Sequence, residues 1–142
     1  MISFQNEVEI GRQIDEVFGY VADLENVPEW NYAIDETRKV TPGPVGEGTR
    51  YRQVRSVPRP GEEALEIVDY VPPSDLVVEG DLGPFRARLG YRFESSGTGT
   101  LLTNEVELTP NGPTGFLARV ASNRIAEAVA ANLGQLKTRL EA

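Results

Sequence analysis

Proline divides this chain into parts that can be helical and parts that cannot. Residues 11–27 and 114–142 contain none and carry helical periodicity. Between them, turn signals recur at Pro42-Gly43-Pro44, Pro58-Arg59-Pro60-Gly61, Pro72-Pro73-Ser74-Asp75, Gly80 to Pro84, Ser95 to Gly99 and Pro110 to Pro113. The segments left between these turns have the length of strands. Ile2 to Ile10 alternates, with Ile2, Phe4, Val8 and Ile10 on one face beside Asn6, and Ser3, Gln5, Glu7 and Glu9 on the other, which predicts a half-buried strand. From Gln13 to Ala22, Ile14, Val17, Phe18 and Val21 fall on one helical stripe. Leu24 to Trp30 allows only a second brief helical turn, because Pro28 fits a first turn but not a helix interior.

From about Ile34 to Leu108 the pattern reads as further strands in an antiparallel meander. Phe85, Ala87, Leu89, Tyr91 and Phe93 face one way and Arg86, Arg88 and Arg92 the other. The partner of this strand is Leu101 to Leu108, joined to it through Ser95 to Gly99 as a hairpin that places Glu105 or Glu107 across from Arg88. A long helix from about Thr114 to Leu140, started by Pro113, closes the chain. Its apolar stripe, from Leu117 through Ala121, Ile125 and Val129 to Leu140, holds many small side chains. Packed over a curved sheet, such a stripe leaves volume for a cavity between helix and sheet.

With 142 residues, 39% of them hydrophobic, the chain is one domain spanning 1–142 that can bury a sizeable core. Its formal charge of -8 repels phosphate backbones and anionic membranes, so no nucleic-acid partner is expected. The absence of cysteine and histidine removes thiolate nucleophiles, structural zinc and the usual general base, so neither a metal nor a cofactor is expected. The glycine pairs Gly46/Gly48 and Gly97/Gly99 fit no phosphate-cradling motif. Asp15, Glu16, Asp23, Glu25 and Glu29 lack calcium-loop spacing and read as a solvated face. The start of the chain does not look like a signal peptide, and no apolar run could span a bilayer, so a cytoplasmic protein is expected.

The segments "IGRQIDEVFGYVADLENVPEW", "GEGTRYR" and "EIVDYVPPSDL", with the closing helix, resemble the START-like (SRPBCC) superfamily, which includes the polyketide cyclase/dehydrase and Bet v 1-like proteins. The likeness covers essentially the whole chain. It implies an α+β helix-grip fold: a seven-stranded antiparallel sheet wrapped around a long C-terminal helix, with two short helices after strand one. It also implies an apolar cavity for a lipid, polyketide or other small hydrophobic ligand. None of the matching segments is a catalytic motif.

Polar residues that share a face with apolar ones single out candidates within such a cavity, since burying one unpaired costs about 1–3 kcal/mol. Asn6 and Asn104 are two. If Arg50 and Arg52 face water, then Tyr51, Gln53, Arg55 and Val57 face inward. An inward Arg55 demands a ligand oxygen or an acidic neighbour such as Glu66, unless it reaches solvent from near the strand end. Trp30 and Tyr32 follow the short helices near the expected cavity mouth. The ligand-binding set is therefore Trp30, Tyr51, Gln53, Arg55, Leu89, Tyr91, Asn104, Phe116 and Val120, with Asn123 favoured as surface. Arg86, Arg88 and Arg92 read instead as a solvated charge ladder. Two functions compete. One is binding or transport of a hydrophobic ligand. The other is a cyclase/aromatase-like reaction using Arg55, Tyr51 and Tyr91, with Glu66 or Glu79 as base if inward. An interaction protein with a vestigial cavity is the third reading, and homodimerisation stays open.

Overall fold

The computed structural model describes residues 1–111 and 115–142, with side chains described for 1–111 and 123–142. In order come β1 (Ile2–Ile10), α1 (Ile14–Ala22), a 3-10 helix (Leu24–Glu29), β2 (Ile34–Lys39), β3 (Arg50–Arg55), β4 (Gly61–Val71), β5 (Asp75–Leu82), β6 (Phe85–Ser96), β7 (Gly99–Pro110) and α2 (Gly115–Glu141). The strands form one seven-stranded sheet in the order β1-β7-β6-β5-β4-β3-β2. Every neighbouring pair is antiparallel. This is the α+β helix-grip arrangement expected from the sequence.

Alternation decides which side chains face the helices. On β1, Phe4 lies opposite Val106, Asn6 opposite Asn104 and Val8 opposite Leu102, while Glu7 and Glu9 are exposed on the outer face. The loop between β6 and β7 is shorter than the turn signal suggested. The ladder continues to Ser96 and resumes at Gly99, and Gly97 takes the left-handed backbone (φ 61°) that the tight turn requires.

Asp15 and Glu16 sit in the first turn of α1, where they complement its dipole. Val17, Phe18 and Val21 are buried, and Phe18 packs edge-on against Tyr70 and Phe93 with ring centroids 5.5 and 5.0 Å apart. The helix stops at Asp23, whose extended backbone breaks the run and whose carboxylate accepts the Glu25 N–H at 3.2 Å, capping the 3-10 helix.

α2 is gripped near its C-terminal end. Leu133, Leu136 and Leu140 are buried there, Arg12 Nε donates to the Leu140 carbonyl at 2.6 Å, and Lys137 Nζ donates to the Glu9 carbonyl at 2.7 Å. Upstream, Ile125 and Val129 are only half-buried. The expected helix start at Pro113 and Thr114 falls outside the described residues, as do the side chains of Leu117 and Ala121.

The Gly80 to Pro84 signal marks two different things. Only Gly83 and Pro84 turn the chain; Gly80 lies within β5, opposite Leu65. A Cβ on Gly80 would come within 2.4 Å of the Ala64 carbonyl oxygen and 2.5 Å of Leu65 Cδ2, so β4 and β5 approach closely only because that atom is missing. Gly80→Ala is expected to lower stability by about 1–3 kcal/mol. Chemical denaturation checks this, and an unchanged midpoint would mean the strands separate without strain.

Candidate functional site

The inner face of the sheet carries two apolar patches with a polar belt between them. Towards one end lie Phe85, Ala87, Val106 and Leu108, joined by Phe4 and Ile125. Towards the other lie Leu102 and Phe93, within the larger core that includes α1 and the end of α2. Between them the register aligns Asn6 with Asn104 and Asn104 with Tyr91 across three adjacent strands. Asn104 is buried and donates to the Gly90 carbonyl at 3.1 Å. The Asn6 Nδ2 is buried with no hydrogen-bond partner among the described residues.

Burial of this face is uneven among the described residues. Ile2, Phe4, Asn6 and Val8 on β1, and Leu89 and Tyr91 on β6, have inward parity yet stay only partly buried. Trp30, Thr37 and Tyr51 are buried on the β2–β3 side, and among the described residues Trp30 Nε1, Thr37 Oγ1 and Tyr51 OH likewise lack partners. A buried donor or hydroxyl left without a partner costs about 1–3 kcal/mol, which a bound molecule could recover.

Arg55 does point inward, and the residue that meets it is Glu63, which the sequence reading missed. Arg55 Nε donates to Glu63 Oε2 at 2.7 Å, Gln53 Nε2 donates to Oε1 at 2.8 Å, and the Gly83 N–H donates to Oε2 at 2.6 Å. Both partners of the ion pair are close to fully buried, with side-chain exposures of 13% and 6%. The signal was present: Glu63 shares parity with Leu65 and Ile67 on β4. The suggested partner, Glu66, instead pairs with Arg50 on the outer face at 3.2 Å. Glu79 is also outward, pairing with Arg88 at 2.6 Å, so neither glutamate reaches the interior as a base. Val57 lies beyond the end of β3 and is exposed.

The outer arginines form the expected ladder, but towards the other neighbouring strand. Arg86 pairs with Asp81, Arg88 with Glu79 and Arg92 with Asp75, all on β5, although Arg88 does stand opposite Glu107 in the β6–β7 register. Tyr32 is exposed, and so is Asn123. The side chains of Phe116 and Val120 fall outside the described residues.

A separate cleft of about 320 Å³ opens between α1, the 3-10 helix, the β2–β3 loop and strands β3 and β4. Tyr51 and Tyr70 line it, as do Asp23, Glu25 and Lys39. Burial, and then the Asp23 and Glu25 carboxylates, push the Tyr51 hydroxyl up to about 12, while the Leu24 N–H opposes the shift without meeting hydrogen-bond geometry. Burial alone pushes Tyr91 up to about 12.

Over residues 1–141 the sequence matches the family model described as polyketide cyclase/dehydrase and lipid transport. The chain belongs to this family. No curated protein matches the sequence significantly. Among solved structures, TTHA0849 from Thermus thermophilus is similar at 20% identity and a TM-score of 0.76, over 98% of this chain and 97% of that one. The di-domain ARO/CYC StfQ from the steffimycin biosynthetic pathway is similar at 14% identity and a TM-score of 0.78, over 96% of this chain but 50% of that one. Ara h 8.0201, a Bet v 1-like protein, is similar at 15% identity and a TM-score of 0.65, over 95% and 97% of the two chains. At these identities the likeness establishes the shared fold. Among the described residues no helix is long and apolar enough to cross a membrane, and no acidic cluster is arranged to hold a metal ion.

Two outcomes follow from this geometry. Arg55→Met should cost about 3 kcal/mol in a denaturation experiment, because it strands a buried carboxylate, whereas Arg88→Ala should cost under about 1 kcal/mol. Equal losses would contradict the burial of the pair. In an ultraviolet titration, Tyr20, Tyr51 and Tyr91 should ionise near pH 12, and Tyr51→Phe should reduce that late phase. The folded state holds these protons more tightly than the unfolded chain, so their stabilisation is whole below about pH 10 and is lost as pH rises towards 12.

Proposed function

We propose that the protein binds a small hydrophobic ligand against the inner face of the sheet, beneath α2. The observation that carries this reading is partial burial: Ile2, Phe4, Asn6, Val8 and Leu89 have inward parity yet keep accessible surface, and the Tyr91 hydroxyl is buried beside them. An apolar body would lie on Phe4 and Leu89. Asn6, Asn104 and Tyr91 would offer hydrogen bonds midway along it, and Trp30, Gln53 and Arg55 would form its polar end. Tyr51 is set apart, since it lines the cleft beside α1. The description of the family, which includes lipid transport, supports the same reading.

Cyclisation of a polyketide is the second reading, favoured by the likeness to the ARO/CYC di-domain protein. The side chains argue for binding. Tyr51 and Tyr91 hold their protons up to about pH 12, far from the range in which a side chain exchanges one readily at neutral pH. The Glu63 carboxylate already accepts three hydrogen bonds, and Arg55 is one of its donors. What remains suits holding a ligand in one orientation better than moving protons on it.

Native mass spectrometry of protein purified from its own host should show a co-purifying hydrophobic compound. As an independent readout, the neutral probe 1-anilinonaphthalene should perturb the fluorescence of Trp30, the chain's single tryptophan, which is buried with an unpartnered indole N–H. An apo mass alone, together with an unchanged Trp30 spectrum at saturating probe, would overturn the proposal.

A further inference from the structure

The cleft beside α1 shares no lining residue with the proposed inner-face site, and its chemistry is different. Two carboxylates stand on its rim, and each uses one oxygen within the protein. Asp23 Oδ1 accepts the Glu25 N–H at 3.2 Å, and Glu25 Oε2 accepts the Lys39 N–H at 3.0 Å. Their other oxygens have no hydrogen bond among the described residues. The floor is Tyr51, 1% exposed, whose hydroxyl is buried without a partner among the described residues. Beside it stands Tyr70, and Ala22 and Val45 provide apolar wall. The cleft therefore presents two anionic acceptors, the Tyr51 hydroxyl, which can accept as well as donate, and aromatic surface. The one cation on its lining, the Lys39 ammonium, gives one of its three N–H groups to the Gly43 carbonyl on the β2–β3 loop, which draws it towards that loop.

We propose that this cleft binds a protonated organic amine carrying a small apolar or aromatic body. An ammonium supplies three N–H donors where the site offers acceptors. Its charge is complementary to Asp23 and Glu25, and its apolar body would lie against the Tyr70 side chain. The rim carries two carboxylates against one lysine, and the whole protein carries -8, so the surrounding field concentrates cations and repels anions. A volume of about 320 Å³ holds a single small molecule. A hard metal ion fits less well, because it requires six or more oxygen ligands, and two carboxylates with an aromatic floor do not supply them.

Calorimetric titration with 2-phenylethylamine, its neutral counterpart 2-phenylethanol and the anion 3-phenylpropanoate, at neutral pH and low salt, tests this on the whole protein. The amine should bind about tenfold more tightly than the alcohol, and the propanoate should not bind. Asp23→Asn keeps the cap of the 3-10 helix while removing its charge, and should weaken the amine about fivefold or more. Tyr51→Phe should weaken it about threefold by removing the hydroxyl. Lys39→Gln should tighten it by removing a like charge. Equal affinity for amine and alcohol, or an Asp23→Asn variant that binds the amine as the parent does, would overturn the proposal. The inner-face reading is tested by a different probe reporting on Trp30, so either site can fail alone.

Discussion

The attachment of α2 at one end is the interaction on which the interior depends. Leu133, Leu136 and Leu140 bury the final turns, and Arg12, Lys137 and Arg139 tie the same turns to the β1–α1 connection, to β1 and to Glu29. Closure there is complete. Further up the helix Ile125 and Val129 cover the sheet only in part, and the inward side chains of β1 and β6 keep accessible surface. Burial along the helix therefore falls off from its C-terminal turns towards Ile125.

The buried Arg55–Glu63 pair has a different role. An isolated buried ion pair adds little to stability, because desolvation offsets the attraction. Here the carboxylate also takes a hydrogen bond from Gln53 on the same strand as Arg55 and one from the Gly83 N–H in the β5–β6 turn. It thus links β3, β4 and the β5–β6 turn at one end of the sheet, where an apolar residue of equal size could not satisfy the turn.

Much of this was legible from period-two alternation. The inward set on β3 (Tyr51, Gln53 and Arg55) and the inward placement of Asn104 and Tyr91 follow from parity with their apolar neighbours, because a one-residue shift would expose the whole core face. Partner identity was less accessible. Parity places Arg88 on the outer face but does not choose between Glu107 on β7 and Glu79 on β5, which both stand directly across from it; the ion pair forms with Glu79. Glu63 was missed although its alternation with Leu65 and Ile67 marked it as inward. The α1 cleft had no local signature, since Asp23, Tyr51 and Tyr70 meet only through the tertiary fold and the acidic residues read as an ordinary wet helix end.

The pairing of the β6 arginines with β5 leaves the acids of the other flank without cations among the described residues. Glu105 and Glu107 on β7 and Glu7 and Glu9 on β1 have no ion-pair partner there, and β1 is the last strand of the sheet. Two copies meeting along their β1 margins would bring these side chains into mutual repulsion in a setting where backbone pairing is otherwise available. Like charge along a sheet margin works against edge-to-edge growth into a multi-chain sheet.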